Sequence, residues 1–250
     1  MERFEVERID GVLVARLNHG ITNAMDRITI QELAEIVQQA RDDPGVGGLV
    51  LASANEKFFT IGFDIPQLYE LNREEFVSFY RLFNQTCLEL FTLPKPTVAA
   101  LTGHAIAGGS ILALCCDYRF IAQGRKLMGL NEIKLGAPVP YLSDCILRSL
   151  IGPRLARDVM ESGEFYPPEE TLRMGMVDEV LPLKSVVERA VEKARNLSSV
   201  PAAYASIKRN RVEGVEEEAL RRGEEKERQF VECWYSEDAR ARLREAMEKF

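Results

Sequence analysis

The chain contains 250 residues, of which 46% are hydrophobic and 28% are charged, and this predicts one large globular domain with a substantial core. Its formal net charge of −7 argues against a nucleic-acid partner, because binding a polyanion requires a dominant basic face. A small anionic ligand remains compatible with this balance, since it needs only a few cations close to it.

The first part of the chain predicts alternating strands and helices. Residues 4–17 alternate in hydropathy around an Asp-Gly pair, which is typical of a β-hairpin. Asp26 is a candidate N-cap of an amphipathic helix, and GGLVLAS (47–53) has the composition of a short buried strand. Asp64 is a second candidate N-cap, and a long helix is predicted over about 73–91.

The uncharged run 96–116 has roughly the length of a membrane helix. However, it begins with the β-branched segment PTVAALTG and is interrupted by Gly108 and Gly109. A buried strand, a loop and a core helix over SILALCC explain it better than a membrane span, and DYRFIAQ predicts the next strand. The alternation of strands and helices indicates an α/β architecture with covered parallel strands.

From about residue 152 the sequence becomes mostly helical, with VDEVLP as the one strand-like segment. We expect residues 1–195 to form the core domain and residues 196–250 a C-terminal helical region. The charged run in that region predicts a solvated helix face. Five apolar residues are expected to dock it on the body or on another subunit: Leu220, Phe230, Val231, Trp234 and Leu243.

Histidine and cysteine content limits the chemistry. With only His19 and His104, the chain has little material for a histidine-rich metal site or a Ser-His-Asp triad, and we expect no metal. The five cysteines form no CxxC pair, which predicts reduced core thiols. The N-terminal sequence MERFEVERIDGVLV lacks the apolar stretch of a signal peptide, so a cytoplasmic location is expected.

Three segments have glycine or acidic features: NEKFFTIGFDI (55–65), HAIAGGSILA (104–113) and MGLNEIKLGAP (128–138). GxxxxGK[ST], GxGxxG, HExxH and GxSxG are all absent. The first two segments each predict a strand that leads into a helix through a glycine turn. Unpaired N–H groups at two such helix starts could together bind an oxyanion. Spacing alone favours the simpler interpretation that the glycines only permit tight turns.

The first two segments also resemble known signatures. KFFTIGFDI resembles the F-S-x-G-x-D-L signature of the crotonase (enoyl-CoA hydratase/isomerase) superfamily, and HAIAGGSILALCCDYR resembles its second signature, G-x-A-x-G-G-x-x-x-x-x-x-C-D-x-R. KPTVAALTGHA and GMVDEVLP are further matches, and the resemblance covers about residues 10–200. It implies an α/β crotonase-like fold, a spiral of ββα units closed by C-terminal helices that form a homotrimer or hexamer.

The resemblance also implies an acyl-CoA thioester substrate, with coenzyme A present only as part of it and no separate cofactor. The backbone N–H groups of Phe63 and Gly108 would stabilise the enolate oxygen. Lys57 matches a family lysine that approaches the CoA phosphates, and Asp64 is interpreted as a structural cap rather than an acid. The implied substrate-binding set is Lys57, Thr60, Ile61, Gly62, Phe63, Asp64, Gly108 and Asn131.

A hydratase of this family uses two glutamates, whose positions here are Ile111 and Glu132. An isoleucine cannot transfer a proton, so hydration is not favoured. A single base is enough to move a proton from carbon 2 to carbon 4 of a 3-enoyl-CoA. The sequence around Glu132 resembles the mitochondrial-type Δ3,Δ2-enoyl-CoA isomerases of fatty acid β-oxidation. We therefore predict Glu132 as the base, with its pKa raised by apolar surroundings and with Asn131 beside it.

Two alternatives remain open. A hydratase, lyase or hydrolase could position water with Glu132, Tyr141 or Asp144, and a non-enzymatic CoA-thioester-binding subunit could retain the scaffold. The ring of Phe63 is expected to shorten or reshape the acyl pocket. Three basic residues of SIKRNR could contact CoA phosphates or form a solvated helix end: Lys208, Arg209 and Arg211.

Overall fold

The computed structural model describes residues 1–248. The strands are Phe4–Ile9 (β1), Val12–Leu17 (β2), Gly48–Ser53 (β3), Phe58–Thr60 (β4), Thr97–Leu101 (β5), His104–Ile106 (β6), Tyr118–Ala122 (β7), Met128–Gly129 (β8), Phe165–Tyr166 (β9) and Glu179–Leu181 (β10). The α-helices are Arg27–Asp42 (α1), Ile65–Tyr69 (α2), Arg73–Phe91 (α3), Gly108–Leu114 (α4), Tyr141–Ile151 (α5), Pro153–Ser162 (α6), Pro168–Met174 (α7), Val186–Ser198 (α8), Pro201–Trp234 (α9) and Glu237–Met247 (α10). Short 3-10 helices span Glu132–Leu135 and Leu183–Ser185.

The strands form two sheets. A six-stranded sheet has the order β1-β2-β3-β5-β7-β10, and a smaller sheet has the order β4-β6-β8-β9. The predicted hairpin pairs Phe4 with Leu17 in antiparallel register, whereas β2, β3, β5, β7 and β10 run parallel. In the smaller sheet β4, β6 and β8 are parallel, and β9 is antiparallel to β8.

Successive turns of the chain repeat one pattern. β3, β5 and β7 lie in the large sheet, and each is followed by a short strand, β4, β6 or β8, in the small sheet. A helix follows each short strand, so the chain winds through three ββα units. This confirms the α/β spiral that the family resemblance implied. Hydropathy periodicity did not show β4, β6 and β8, because two or three residues are too few to display a period of two. β4 and β6 were expected only from the glycine-turn segments 55–65 and 104–113.

Both faces of the large sheet are covered, which explains why every residue of β3 is buried. One face packs against α8 through small and branched side chains: Val186, Ala190, Val191 and Ala194. The other face meets α1, α3, α4 and α9 in the main core. Both predicted N-caps are confirmed, since Asp26 accepts a hydrogen bond from the N–H of Thr29 and Asp64 accepts one from that of Gln67.

The C-terminal helices pack mainly on the body of the same chain, with α9 lying against α3 and α5. Phe230, Val231, Trp234 and Leu243 are buried as predicted. Leu220 is 60% exposed, so it does not dock on the body of its own chain, and docking on another subunit stays a prediction. No helix within the described residues has the length and apolar character that crossing a membrane requires.

Lys208 does not lie on a solvated helix end, and the expectation of a CoA phosphate contact does not fit its position. It is 2% exposed and forms a buried ion pair with Asp117, with 2.8 Å between Nζ and Oδ2. Arg211 pairs with the same carboxylate, while Arg209 pairs with Glu216 on its own helix. The sequence could not show these contacts, because Asp117 lies 91 residues before Lys208 in the chain.

Candidate active site

The site lies where three neighbouring strands of the small sheet end. β4 leads to Phe63, β6 leads to Gly108 and β8 leads to Glu132. Because adjacent parallel strands present their carboxyl ends at the same edge of a sheet, these three segments meet. They line one cavity of about 770 Å³. The topology therefore brings together the three residues that the sequence analysis assigned to catalysis.

The turn around Phe63 is held so that its own N–H remains free. An isolated parallel bridge joins it to Met25, in which the Met25 N–H donates to Gly62 O at 2.8 Å and the Asp64 N–H donates to Met25 O at 3.0 Å. This pattern uses the residues on either side of Phe63 and leaves its N–H without a backbone acceptor among residues 1–248. The Thr60 hydroxyl also accepts from the Gly62 N–H at 3.0 Å, which fixes the start of the turn.

The second turn approaches the first very closely. Gly62 has φ +95°, and a Cβ there would lie 2.8 Å from the Gly108 nitrogen. At Gly109 a Cβ would lie 2.4 Å from the Thr60 carbonyl oxygen. Only glycine permits this contact between the two turns. The glycines therefore do more than allow two independent tight turns.

Gly108 is the first residue of α4, so its N–H has no acceptor within the helix. The preceding Ala107 adopts φ +48° and ψ −116°, a region that non-glycine residues rarely occupy. The Ala107 N–H donates to Gly129 O at 2.9 Å, which ties this strained turn to β8. Such local strain is held by surrounding contacts, and here it aims the start of α4 at the cavity.

Ser110 is a positioning residue that the sequence analysis did not identify. Its buried hydroxyl accepts from the Gly129 N–H at 3.0 Å and donates to Ala105 O at 2.7 Å. It thus joins α4, β6 and β8, and sets the Gly108 turn relative to the segment that follows β8. The only local signal was a serine directly after two glycines, which does not reveal a contact nineteen residues away.

Glu132 is a buried carboxyl group without a counter-charge. Glu132 is the first residue of the 3-10 helix Glu132–Leu135 and is 7% exposed. Its Oε2 atom has no hydrogen-bond partner within residues 1–248. Burial raises the pKa of Glu132 to about 7. A carboxyl group in this state can both accept and release a proton near neutral pH, which is the property that proton-transfer catalysis requires.

The rest of the cavity wall is mostly apolar. Ile111, one turn past Gly108 on α4, is 1% exposed and lines the wall. The ring of Phe63 packs edge-on against Phe79 at 5.0 Å and Phe83 at 4.8 Å between centroids, so α3 fixes its orientation. Other apolar residues of the wall are Ile106, Leu135, Ala137, Pro140, Phe230 and Trp234.

Seven of the eight predicted binding residues divide into two groups. Ile61, Asp64 and Asn131 line the cavity together with Phe63, Gly108 and Glu132. Thr60 and Gly62 are buried behind the turn and shape it. Asp64 uses its carboxylate to cap α2, which agrees with a structural role.

Lys57 is exposed and does not line this cavity, but its ammonium lies 5.3 Å from the ring centroid of Phe58, which does.

Tyr141 and Asp144 lie outside the candidate site. They line a neighbouring cavity of about 370 Å³, where the Tyr141 hydroxyl donates to Glu218 at 2.6 Å and Asp144 pairs with Arg148 at 2.9 Å. Both groups are thus engaged away from Glu132, and the sequence-based suggestion that they position water finds no support in the geometry.

Two inward N–H groups and a buried, uncompensated carboxyl group in an apolar cavity can stabilise a carbonyl oxygen while a proton moves on an adjacent carbon. The spiral ββα fold together with this site defines the class: a crotonase-type enzyme. A family model described as enoyl-CoA hydratase/isomerase matches residues 7–250, and the chain belongs to that family.

Relatives of both reaction types are similar to this chain. Mitochondrial enoyl-CoA delta isomerase 1 of Mus musculus is 30% identical over 207 residues, 82% of this chain and 72% of that protein. Crotonyl-CoA hydratase of Syntrophomonas wolfei is 28% identical over 228 residues, 91% of this chain and 87% of that protein. The crystal structure of human mitochondrial delta3-delta2-enoyl-CoA isomerase superposes with a TM-score of 0.94 at 25% identity, over 99% of this chain and 97% of that one. The chain is therefore an enoyl-CoA-processing enzyme of the crotonase type.

Proposed function

We propose that this enzyme is a Δ3,Δ2-enoyl-CoA isomerase in which Glu132 is the only acid–base group. The observation that supports this most strongly is the buried Glu132 carboxyl, with a pKa of about 7 and no counter-charge within residues 1–248, in a cavity that Ile111 also lines. An aliphatic side chain at that position leaves one proton-transfer group where a hydratase of this family needs two.

The reaction then proceeds in two proton transfers. The Glu132 carboxylate takes a proton from carbon 2 of the 3-enoyl thioester, and the electron pair of that C–H bond delocalises onto the carbonyl oxygen and carbon 4. The N–H groups of Phe63 and Gly108 hydrogen-bond the resulting dienolate oxygen. Protonated Glu132 returns the proton to carbon 4, the carbonyl re-forms, and the double bond now lies between carbons 2 and 3. No water or external acid is consumed.

A raised pKa suits both steps. A strongly acidic carboxyl would take the carbon 2 proton poorly, whereas a group with a pKa near the working pH can accept it and release it again. The mostly apolar wall also favours an acyl chain over water, which would otherwise compete for the dienolate. The isomerase relatives are consistent with this assignment, although hydratase relatives have similar identity.

We also infer where the CoA part of the substrate lies. Burial lowers the pKa of His104, and the charges of Lys126 and Lys57 lower it further, so both lysines lie close to this ring. His104 packs at 5.2 Å on Phe58, which lines the cavity. Two lysines beside the cavity could hold CoA phosphates. The homotrimeric or hexameric assembly and the cytoplasmic location remain predictions from the sequence.

A turnover assay tests the function directly. The purified enzyme is incubated separately with 3-enoyl-CoA and 2-enoyl-CoA esters of short to long chain, and products are separated by chromatography. We expect interconversion of the two enoyl isomers with no 3-hydroxyacyl-CoA. Formation of 3-hydroxyacyl-CoA as the main product from 2-enoyl-CoA would establish a hydratase instead. Tight binding without turnover at every chain length would indicate a non-catalytic subunit.

A further inference from the structure

The last helix, α10, forms part of the candidate site although it lies a hundred residues beyond Glu132 in sequence. Arg242, Glu245 and Ala246 of α10 line the 770 Å³ cavity. The same helix contacts α2, which follows the Phe63 turn, and the 3-10 helix that begins at Glu132. It therefore touches the segment that begins at Glu132 and the helix that follows the Phe63 turn.

Where α10 contacts the Glu132 segment, the two backbones pack directly against each other. Gly136 ends the 3-10 helix with φ +77°, and a Cβ on it would lie 2.8 Å from the Cα of Ala239 in α10. Ala239 is fully buried. A displacement of α10 would remove the surface on which the Glu132 segment rests.

Its contact with α2 is made by a group of four residues, which we call the Arg240 clamp: Tyr69, Tyr235, Arg240 and Arg244. The Arg240 guanidinium lies 3.3 Å from the ring centroid of Tyr69 and 5.6 Å from that of Tyr235. It also donates to Tyr69 O at 2.9 Å, and Arg244 donates to the Tyr69 hydroxyl at 3.2 Å. A planar cation between two aromatic rings is a contact that arginine makes and lysine reproduces poorly.

The Arg240 clamp also restrains the joint between α9 and α10. The Tyr235 hydroxyl donates to Leu71 O at 2.8 Å, so the C-cap of α9 is attached to the end of the α2 region. Tyr69 is the last residue of α2, and α2 begins directly after the Phe63 turn and its Asp64 cap. Phe63 and the clamp thus lie at opposite ends of a five-residue helix.

We propose that the Arg240 clamp is a positioning device that closes α10 over the cavity and so fixes the Phe63 turn and the Glu132 segment in one geometry. The kinetic part of this inference rests on the proposed function, whereas the closure itself does not. Tyr69, Arg240 and Arg244 act through α10 and do not line the cavity. Their contribution is therefore distinct from that of a group that touches substrate.

Closure of α10 has a consequence for the solvation of Glu132. The charged or titratable groups on the elements around it are Asp64, Tyr80, Lys134, Arg242 and Glu245. None of them is a cause of the raised pKa of Glu132, which results from burial. Opening α10 would admit water to this carboxyl group and lower its pKa toward the ordinary value.

The single tryptophan of the chain reports the closure without any need for substrate. Trp234 lies next to Tyr235, lines the cavity and is 3% exposed. The experiment compares acrylamide quenching and the emission maximum of Trp234 in wild type, Arg240→Ala, Arg240→Lys and the control Arg195→Ala. Arg195 pairs with Asp10 at the surface, outside the cavity. We expect clearly greater quenching and a red shift in Arg240→Ala, an intermediate effect in Arg240→Lys and no change in the control.

The kinetic readout separates positioning from simple loss of stability. In Arg240→Ala we expect kcat to fall about tenfold or more, since small displacements of catalytic groups have effects of this size. The acid limb of the kcat profile should move to lower pH, while the melting temperature changes little.

Arg240→Lys, which retains the charge, covers the case in which the alanine variant does not fold. Unchanged quenching in either folded variant, or greater quenching with unchanged kcat and pH profile, would overturn the proposal. If the wild type has no isomerase activity, the proposed function is wrong. The acrylamide quenching of Trp234 then tests by itself whether the Arg240 clamp holds α10 over the cavity.

Discussion

Asp117 and Glu132 are both buried carboxyl groups, with residue exposures of 9% and 7%. Asp117 accepts hydrogen bonds or ion pairs from four residues, namely Thr97, Tyr204, Lys208 and Arg211. Burial alone would raise the pKa of Asp117, but the charges of Lys208 and Arg211 outweigh it and hold that pKa below its ordinary value. Glu132 has no such partner within residues 1–248, so burial raises its pKa and outweighs the hydrogen bond from its own backbone N–H, which lowers it.

The comparison shows that burial does not by itself create a reactive carboxyl group. A buried carboxylate with several polar and charged partners stabilises the fold, and here it connects α9 to the strands β5 and β7. A buried carboxyl group with a free oxygen, in a cavity open to a ligand, is unfavourable for the fold and available for chemistry. The carboxyl groups of Asp117 and Glu132 thus have opposite roles, and the number of their hydrogen-bond and ion-pair partners determines which role each has.

The largest expected effect is on activity at Glu132. Glu132→Gln keeps the shape of the side chain and removes its ability to accept a proton, so isomerase kcat/KM should fall about 10²–10⁴-fold. The control is Glu188→Gln, which removes an exposed carboxylate on α8, the helix that covers the opposite face of the large sheet. Activity that is retained in Glu132→Gln would show that another group is the base, and the proposed mechanism would then be wrong.

The next effect concerns stability at Asp117. Asp117→Asn leaves Lys208 buried without a counter-charge, and we expect the free energy of unfolding to fall by about 3–5 kcal/mol. Urea unfolding measures this, with kcat of the folded enzyme near the wild-type value. The control Asp158→Asn breaks an exposed pair with Arg157 and should have a much smaller effect, since exposed ion pairs contribute little to stability. Equal effects of the two substitutions would contradict the structural role of the buried cluster.

Local features of this molecule could be predicted from sequence, and features that depend on distant contacts could not. The caps Asp26 and Asp64 were predicted correctly, because a cap and the N–H it accepts from are three residues apart. The segments containing Phe63, Gly108 and Glu132 were identified through family signatures, and the structure brings them to one cavity.

Two features of the molecule depend on residues far away in sequence. The burial of Glu132 depends partly on α9 and α10, which supply Phe230, Trp234 and Arg242 to the same cavity from a hundred residues further along. Lys208 was interpreted as a solvated or phosphate-binding cation, because nothing near it in the sequence indicates a buried aspartate 91 residues earlier. Charge pairing across the core is set by the fold, and a single sequence does not display it.

The smallest expected effect is the pH dependence of stability, and it separates the two carboxyl groups most cleanly. The folded protein binds a proton at Glu132 more tightly than the unfolded chain does, so its stability falls as pH rises from about 4.5 to about 7. The shift corresponds to about 3 kcal/mol at pH values above both pKa values. Glu132→Gln lacks this loss. Its free energy of unfolding relative to that of wild type should therefore rise by about 3 kcal/mol between roughly pH 4.5 and pH 8.

Asp117 gives the opposite sign in a different range. Its lowered pKa stabilises the folded protein above the ordinary pKa of an aspartate, and this stabilisation is lost as pH falls through the folded value. The difference in unfolding free energy between Asp117→Asn and wild type should therefore be flat from about pH 5 to about pH 8 and shrink below about pH 4. Urea titrations of both variants at several pH values measure the two curves. A flat curve for Glu132→Gln would mean that Glu132 is ionised at neutral pH in the folded protein at no cost, which is incompatible with a carboxyl group whose pKa burial has raised.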